Sequence, residues 1–259
     1  MPLFLYVARR SLLHRLNPIV KLLAMLTFFV AAFLSERPVV LLPITLAVVG
    51  LVLAARALPN VYRLRYLFGL VFVMTFVVWT LFYRGGTPFL TWGPLRISDI
   101  GLRFALGMAV KLATFLGIGV VFLSTTKIEE FAWALTRAGM PYKVGFTMTL
   151  AFRLVPVFLD AAATVVQAQR CRGFNFDEGT IAERLRRYVP VIVPVFMGAL
   201  RRADGMAMAL EARGFQSQRP RTAFEHYRFG ALDAGALLLV AGLAGFYLIL
   251  WRMGVTAIR

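Results

Sequence analysis

The chain has 259 residues, 60% of them hydrophobic and 16% charged, with 29 Lys and Arg against 12 Asp and Glu for a formal net charge of +17. A soluble domain is about half apolar and a quarter charged, so these values exclude an ordinary water-soluble fold and fit a polytopic membrane protein. The basic excess belongs to loops that gather Lys and Arg on one side of a bilayer, and no polar, foldable domain is present to carry a nucleic-acid patch.

The first segment holds Arg9, Arg10, His14, Arg15 and Lys21 without an acid among them. It is too mixed for a cleavable signal peptide. An apolar run follows at 19–34, then a turn at Ser35-Glu36-Arg37-Pro38, then a second run at 39–55. A basic loop with Arg56, Arg63 and Arg65 leads to a third run at 66–83, and the Gly-, Pro- and Thr-rich stretch 84–98 reads as a loop of turns. A fourth run at 100–123 contains Arg103 near its start and Lys111 near its middle, and a last run begins near Phe229 and ends at Trp251-Arg252. With about 20 apolar residues needed per crossing, five crossings are expected. The Lys and Arg bias then puts the N-terminus and the stretch 124–228 in the cytoplasm and the C-terminus outside.

That stretch is the long part of the chain that does not read as lipid-spanning. Thr126 with Glu129 has the spacing of a capping box, opening a helix that stops at Gly139 with Pro141 beyond it. A second helix is expected from Tyr142 to Arg172, bent at Pro156. Its apolar half, 144–159, carries Arg153, which favours an interfacial or buried helix over another crossing. A third runs from about Pro190 to Arg213. Phe158, Ala161, Val165 and Ala168 on one helix, and Leu200, Ala203, Ala207 and Leu210 on the other, form apolar stripes whose alanines allow a close crossing. The fold class expected is therefore all-α and polytopic. An N-terminal region 1–123 has four transmembrane helices, a cytoplasmic region 124–228 has three helices, two of them long and crossing, and 229–259 holds the last span.

Both long helices finish on Arg-Gly-Phe, at 172–174 and 213–215. A single such triplet is an ordinary helix stop, with glycine at the left-handed position and a cation near the negative end of the dipole. Two of them on one region point to partner binding, since a guanidinium at a helix tip offers five donors in a fixed fork. Phe174 and Phe215 read as hydrophobic anchors or as cap contacts. Lys111 is a functional candidate as an intramembrane charge; the alternative is a lysine facing the bundle interior or snorkelling. Asp160, Asp204 and Asp233 are expected in salt bridges to nearby arginines. Cys171 is the one cysteine, and His14 and His226 lie far apart, so neither a disulfide nor a metal-ligand spacing exists. There is no Gly-x-x-x-x-Gly-Lys-[Ser/Thr] phosphate loop and no nucleophile–base constellation.

Several motifs together resemble the transmembrane T component of energy-coupling factor (ECF) transporters, a branch of ABC importers. They are Leu16-Asn17-Pro18 with Lys21, Ser124-Thr125-Thr126 with Glu129-Glu130, Gly139-Met140-Pro141, and Arg153 with Pro156. Gln169-Arg170-Cys171-Arg172-Gly173, Glu211-Ala212-Arg213-Gly214-Phe215 and Arg219 to Thr222 complete the set. In that family each coupling helix typically ends in Ala-Arg-Gly, which the second motif matches and the first varies with Cys171. The resemblance implies that Cys171-Arg172-Gly173 and Ala212-Arg213-Gly214 dock on two cytoplasmic ABC ATPase subunits, which themselves bind ATP and Mg. It also implies a small membrane-embedded S component that binds a vitamin or transition-metal ion; Lys111, Phe158, Ala161, Val165, Leu200, Ala203 and Ala207 would contact it or the bundle. This chain would be no enzyme and hold no cofactor. It would lie in the inner (plasma) membrane. A membrane enzyme acting on lipid or isoprenoid groups would need acids or histidines at one membrane face, and a permease with its own substrate path would need polar residues lining the spans; the runs supply neither.

Overall fold

A computed structural model describes residues 11–35, 37–83, 85, 88–92, 95–176, 180–215, 227 and 229–253. Arg9, Arg10 and the Arg219 to Thr222 stretch lie outside them. A 3-10 turn at Leu12–Arg15 precedes α1 (Pro18–Leu34), α2 (Pro38–Ala54), α3 (Leu58–Arg63) and α4 (Arg65–Phe82). Next come a two-stranded antiparallel hairpin, β1 (Pro88–Trp92) with β2 (Leu95–Ser98), and the long helix α5 (Asp99–Thr125). The remaining helices are α6 (Ile128–Arg137), α7 (Tyr142–Cys171), α8 (Ile181–Arg187), α9 (Val189–Ala212) and α10 (Ala231–Arg252).

The five expected apolar runs are α1, α2, α4, α5 and α10, and the fold is all-α and polytopic. Among the described residues α4, α5, α7 and α10 are long and apolar enough to cross a membrane, while α1 and α2 are 17 residues each. At 1.5 Å per residue those two reach about 26 Å, slightly short of the roughly 30 Å hydrocarbon core. For α7, the buried-helix alternative is ruled out within its own unit, where Gly145 is its one buried residue. The loop expected at 84–98 contains the hairpin instead, and the basic segments around residues 60 and 184 are short helices. Local chemistry accounts for both: Pro59 sits in the first turn of α3, and Thr180 with Glu183 forms a capping box at α8.

The chain divides into two compact units, residues 1–141 with 227–259, and residues 142–226. In the first, α5 is the centre, packed against α1, α2 and α4, with α10 on α1. Small residues let these helices approach: Ala31, Ala32, Ala105 and Ala109 are fully or almost fully buried, and a Cβ on Gly117 would stand 2.9 Å from Val48 Cγ1. In lipid such close packing and interhelical hydrogen bonds replace the hydrophobic drive. Thr45 and Thr114 share a 2.9 Å hydroxyl bond between α2 and α5, and the Tyr247 hydroxyl of α10 donates to the Val40 carbonyl at 3.0 Å.

At the end where α1 begins, polar side chains join five helices and the segment before α10. Lys21 Nζ donates to the Thr125 carbonyl at the end of α5 (3.0 Å), to the His14 carbonyl (3.2 Å) and to Glu130 Oε2 of α6 (3.1 Å). Asp233 of α10 accepts the Asn17 and Gly230 backbone N–H groups at 2.7 and 2.8 Å, and Asn17 Nδ2 reaches the Tyr227 carbonyl. Asn60 of α3 donates to Ser124 Oγ at 2.8 Å. The Thr126–Glu129 capping box does not form: α5 runs on to Thr125, Lys127 is the N-cap of α6, and Thr126 Oγ1 is buried without a hydrogen-bond partner among the described residues.

Two outcomes are expected from this packing. Gly117→Val should overpack the α2–α5 contact and cost about 1–3 kcal/mol, read as a lower thermal midpoint in detergent, with Val48→Ala restoring part of the loss. Lys21→Met should cost about 3 kcal/mol, because it leaves the largely covered Glu130 carboxylate unpaired; Lys21→Met/Glu130→Gln should cost less than the sum of the two single changes.

Candidate functional site

The second unit is built on α7 and α9, which pack against each other. Each ends in the same way. Gly173 takes φ +85, its N–H donates to the Arg170 carbonyl at 2.9 Å, and the Phe174 N–H donates to the Gln169 carbonyl at 3.0 Å. Gly214 takes φ +69, with its N–H on the Glu211 carbonyl at 2.8 Å and the Phe215 N–H on the Leu210 carbonyl at 2.9 Å. This pair of bonds is the Schellman closure, and it favours a residue without a Cβ at the left-handed position. It leaves the residue before each glycine, Arg172 and Arg213, as the last half-helical residue of its helix.

Both arginines are exposed, and among the described residues neither guanidinium forms a hydrogen bond or an ion pair. Each lies at the negative end of its helix dipole, which favours a cation by about 0.3–1 kcal/mol. Cys171 and Ala212, the last helical residues, are exposed as well. The side chains beyond the caps are held: Phe215 packs on Phe146 (ring centroids 4.6 Å) and Tyr142 (6.3 Å) at the start of α7. Phe174 packs on the buried Phe176, which in turn meets Tyr188 just before α9. Arg187 ties the same loop by donating to the Asn175 carbonyl at 2.7 Å. Phe176, Tyr188 and Arg187 were not singled out from the sequence, because nothing in their spacing links them.

These contacts set the direction of the pair. The end of α9 lies beside the start of α7, and the start of α9 lies beside the loop that leaves α7. The helices are therefore antiparallel and the two arginine tips stand at opposite ends. From Phe146 to Arg172 is nearly the full length of α7, about 40 Å at 1.5 Å per residue.

The predicted stripes are met in part. On α7, Phe158, Ala161 and Val165 are half-buried and Ala168 is exposed, but on α9 the half-buried line runs through Val195, Ala199, Met206 and Leu210, and Leu200, Ala203 and Ala207 are exposed. Of the predicted α9 set only Leu210 lies on the covered line. The reason is that α9 is apolar on more than one face, with Ile192, Val193, Phe196 and Met197 also exposed, so periodicity alone does not choose between them. Lys111 lies in the first unit, buried, with Nζ donating to the Phe33 carbonyl at 2.7 Å near the end of α1 and standing 5.3 Å from the Phe33 ring. It faces the bundle interior. The arginine partners expected for Asp160, Asp204 and Asp233 are not found among the described residues. Asp233 is bound by backbone N–H groups instead, and the described ion pairs are Lys21–Glu130 and Arg103–Asp99.

A family profile described as "CbiQ: Cobalt transport protein" matches residues 9–224. The energy-coupling factor transporter transmembrane protein EcfT of Limosilactobacillus fermentum is 30% identical, over 91% of this chain and 91% of its own. The protein of the same name from Bacillus selenitireducens is 32% identical over 90% of each. A protein of Bifidobacterium longum named as an ABC transporter ATP-binding protein is 34% identical over 89% of this chain, a match that spans 30% of that longer protein. With most of its length matched by the profile and by these relatives, the chain belongs to the CbiQ cobalt transport protein family, as a transmembrane T component of the ECF transporters.

Proposed function

We propose that this chain transmits the movement of two cytoplasmic ABC ATPase subunits to a small membrane-embedded S component, for uptake of a vitamin or a transition-metal ion. One observation carries the reading. Arg172 and Arg213 are presented identically, exposed and unpaired among the described residues, at opposite ends of one antiparallel helix pair. A single docking surface would not need two tips about 40 Å apart along α7; two separate subunits would. Each guanidinium suits carboxylates and carbonyls in a groove. Closure of two grooves on nucleotide binding would change the distance between the tips and shear α7 against α9, a common form of packed-helix movement.

Further support comes from the relatives. The Bifidobacterium protein named for ATP binding includes a region similar to this chain, which fits a close working association with an ATPase. The family description names cobalt, which fits a metal among the cargoes. The exposed apolar residues Phe196, Leu200, Ala203 and Ala207 of α9 offer a surface for the S component, alongside Phe158, Ala161 and Val165. Nucleotide and Mg would be held by the ATPase subunits. The Lys and Arg asymmetry supports a cytoplasmic N-terminus and coupling region, with the C-terminus outside.

Arg172→Glu and Arg213→Glu should each weaken capture of the ATPase subunits by about 2–5 kcal/mol, roughly thirtyfold or more in affinity. Amounts of the chain in the membrane should not change. Co-purification from detergent extracts and uptake in cells are the measurements. An Arg172→Glu/Arg213→Glu chain that still holds both ATPase subunits and supports normal uptake would overturn the docking role. With ATPase subunits bound, a short thiol-reactive crosslinker on Cys171 should join this chain to one of them.

A further inference from the structure

Two neighbouring hollows lie at the end of the first unit where α1 begins. One, of about 340 Å³, is apolar and bounded by α1, α2, α5 and α10, with Leu16, Leu51, Val121, Leu239 and Leu243 in its walls. That volume is in the range of small-molecule pockets. The other, of about 360 Å³, is lined by Ser11, Leu12, Arg15, Ala54 and Arg56. They share the turn before α1: Leu13 and Leu16 face the apolar hollow, Leu12 and Arg15 the basic one. On α2 the two are one turn apart, at Leu51 and Ala54, about 5 Å along the axis.

Arg56 is unusual in its backbone. It closes α2 with the same two bonds as the arm tips, its N–H on the Leu53 carbonyl and the Ala57 N–H on the Val52 carbonyl, both at 3.0 Å. Its φ is +53, and it is the one positive-φ residue among those described that is not glycine. An arginine held in this strained position, where glycine would serve better, calls for a compensating use of its side chain. Among the described residues there is none: neither Arg56 nor Arg15 forms a hydrogen bond or an ion pair with them, and both are exposed.

We propose that the two hollows form one site for an anionic phospholipid. Arg15 and Arg56 take the phosphate oxygens through their guanidinium forks, and one acyl chain lies in the apolar hollow against Leu16, Leu51 and Leu243. Apolar walls are what a methylene chain requires, and free phosphate would leave them unused. A zwitterionic lipid brings the same phosphate but sets its ammonium against two guanidiniums, so the site selects net negative headgroups.

The test uses the full chain purified in detergent with its bound subunits and native mass spectrometry, offering phosphatidylglycerol or phosphatidylcholine. The unmodified chain should retain one phosphatidylglycerol at a concentration roughly tenfold to thirtyfold below that needed for phosphatidylcholine. Arg56→Gly fits the left-handed position, so its thermal midpoint should not fall while the preference shrinks; Arg15→Gln/Arg56→Gly should abolish it. Ala24→Phe, which fills the apolar hollow, should reduce retention of both lipids. Equal retention of the two lipids by the unmodified chain, survival of the preference in Arg15→Gln/Arg56→Gly, or displacement of the lipid by millimolar inorganic phosphate would each overturn the proposal.

Discussion

Both long helices of the second unit end on a glycine that accepts positive φ. A helix leaves its last carbonyls without partners, and the closure at Gly173 and at Gly214 returns two backbone N–H groups to them while turning the chain sharply away. The arginine before each glycine then stands exposed at the end of its helix. A bulkier residue at the glycine would strain this geometry, and the guanidinium would lose its fixed origin. Two rigid tips follow from two small residues.

The rest of the second unit serves to hold those tips apart. Phe215 seated on Phe146 and Tyr142 binds the end of α9 to the start of α7, and Phe176 with Tyr188 closes the other end. Between these ring contacts the pair has little core of its own; Gly145, Phe176 and Val191 are its buried residues among those described. Its apolar surfaces, Ile192, Val193 and Phe196 above all, demand lipid or another protein. A unit so thinly packed is held mainly at its two ends, which suits the coupling role proposed for it. The first unit is organised differently, with small-residue packing inside and the Lys21, Asn17, Asn60 and Asp233 contacts binding five helices at one end. The carbonyl that Lys21 takes from Thr125 is one of the orphan groups left by α5, and its ion pair with Glu130 brings α6 into the same cluster.

Much of this was legible in the residues. Apolar runs bounded by Pro, Gly and charge gave the spans to within a residue or two, because helix starts and stops are local chemistry. The two Arg-Gly-Phe ends were readable for the same reason: a left-handed glycine acts on the four residues before it and needs nothing distant. The capping box assigned to Thr126 and Glu129 failed because the preceding helix did not stop where the hydrophobic pattern weakened, which left Thr126 inside the junction between α5 and α6. The stripe on α9 was displaced because several of its faces are apolar, and a periodic pattern cannot rank faces of similar hydrophobicity.

What the sequence determined by itself, then, was the set of long helices, the membrane class, and the two Arg-Gly-Phe helix ends. What only the tertiary structure decided was which residues meet. Asn17 and Asp233 stand 216 positions apart and Lys111 finds the carbonyl of Phe33, 78 positions earlier; such pairs are fixed by helix packing, which sequence spacing does not encode. The placement of Arg172 and Arg213 at opposite ends is of the same kind, since it follows from aromatic contacts between helix termini that no local pattern announces.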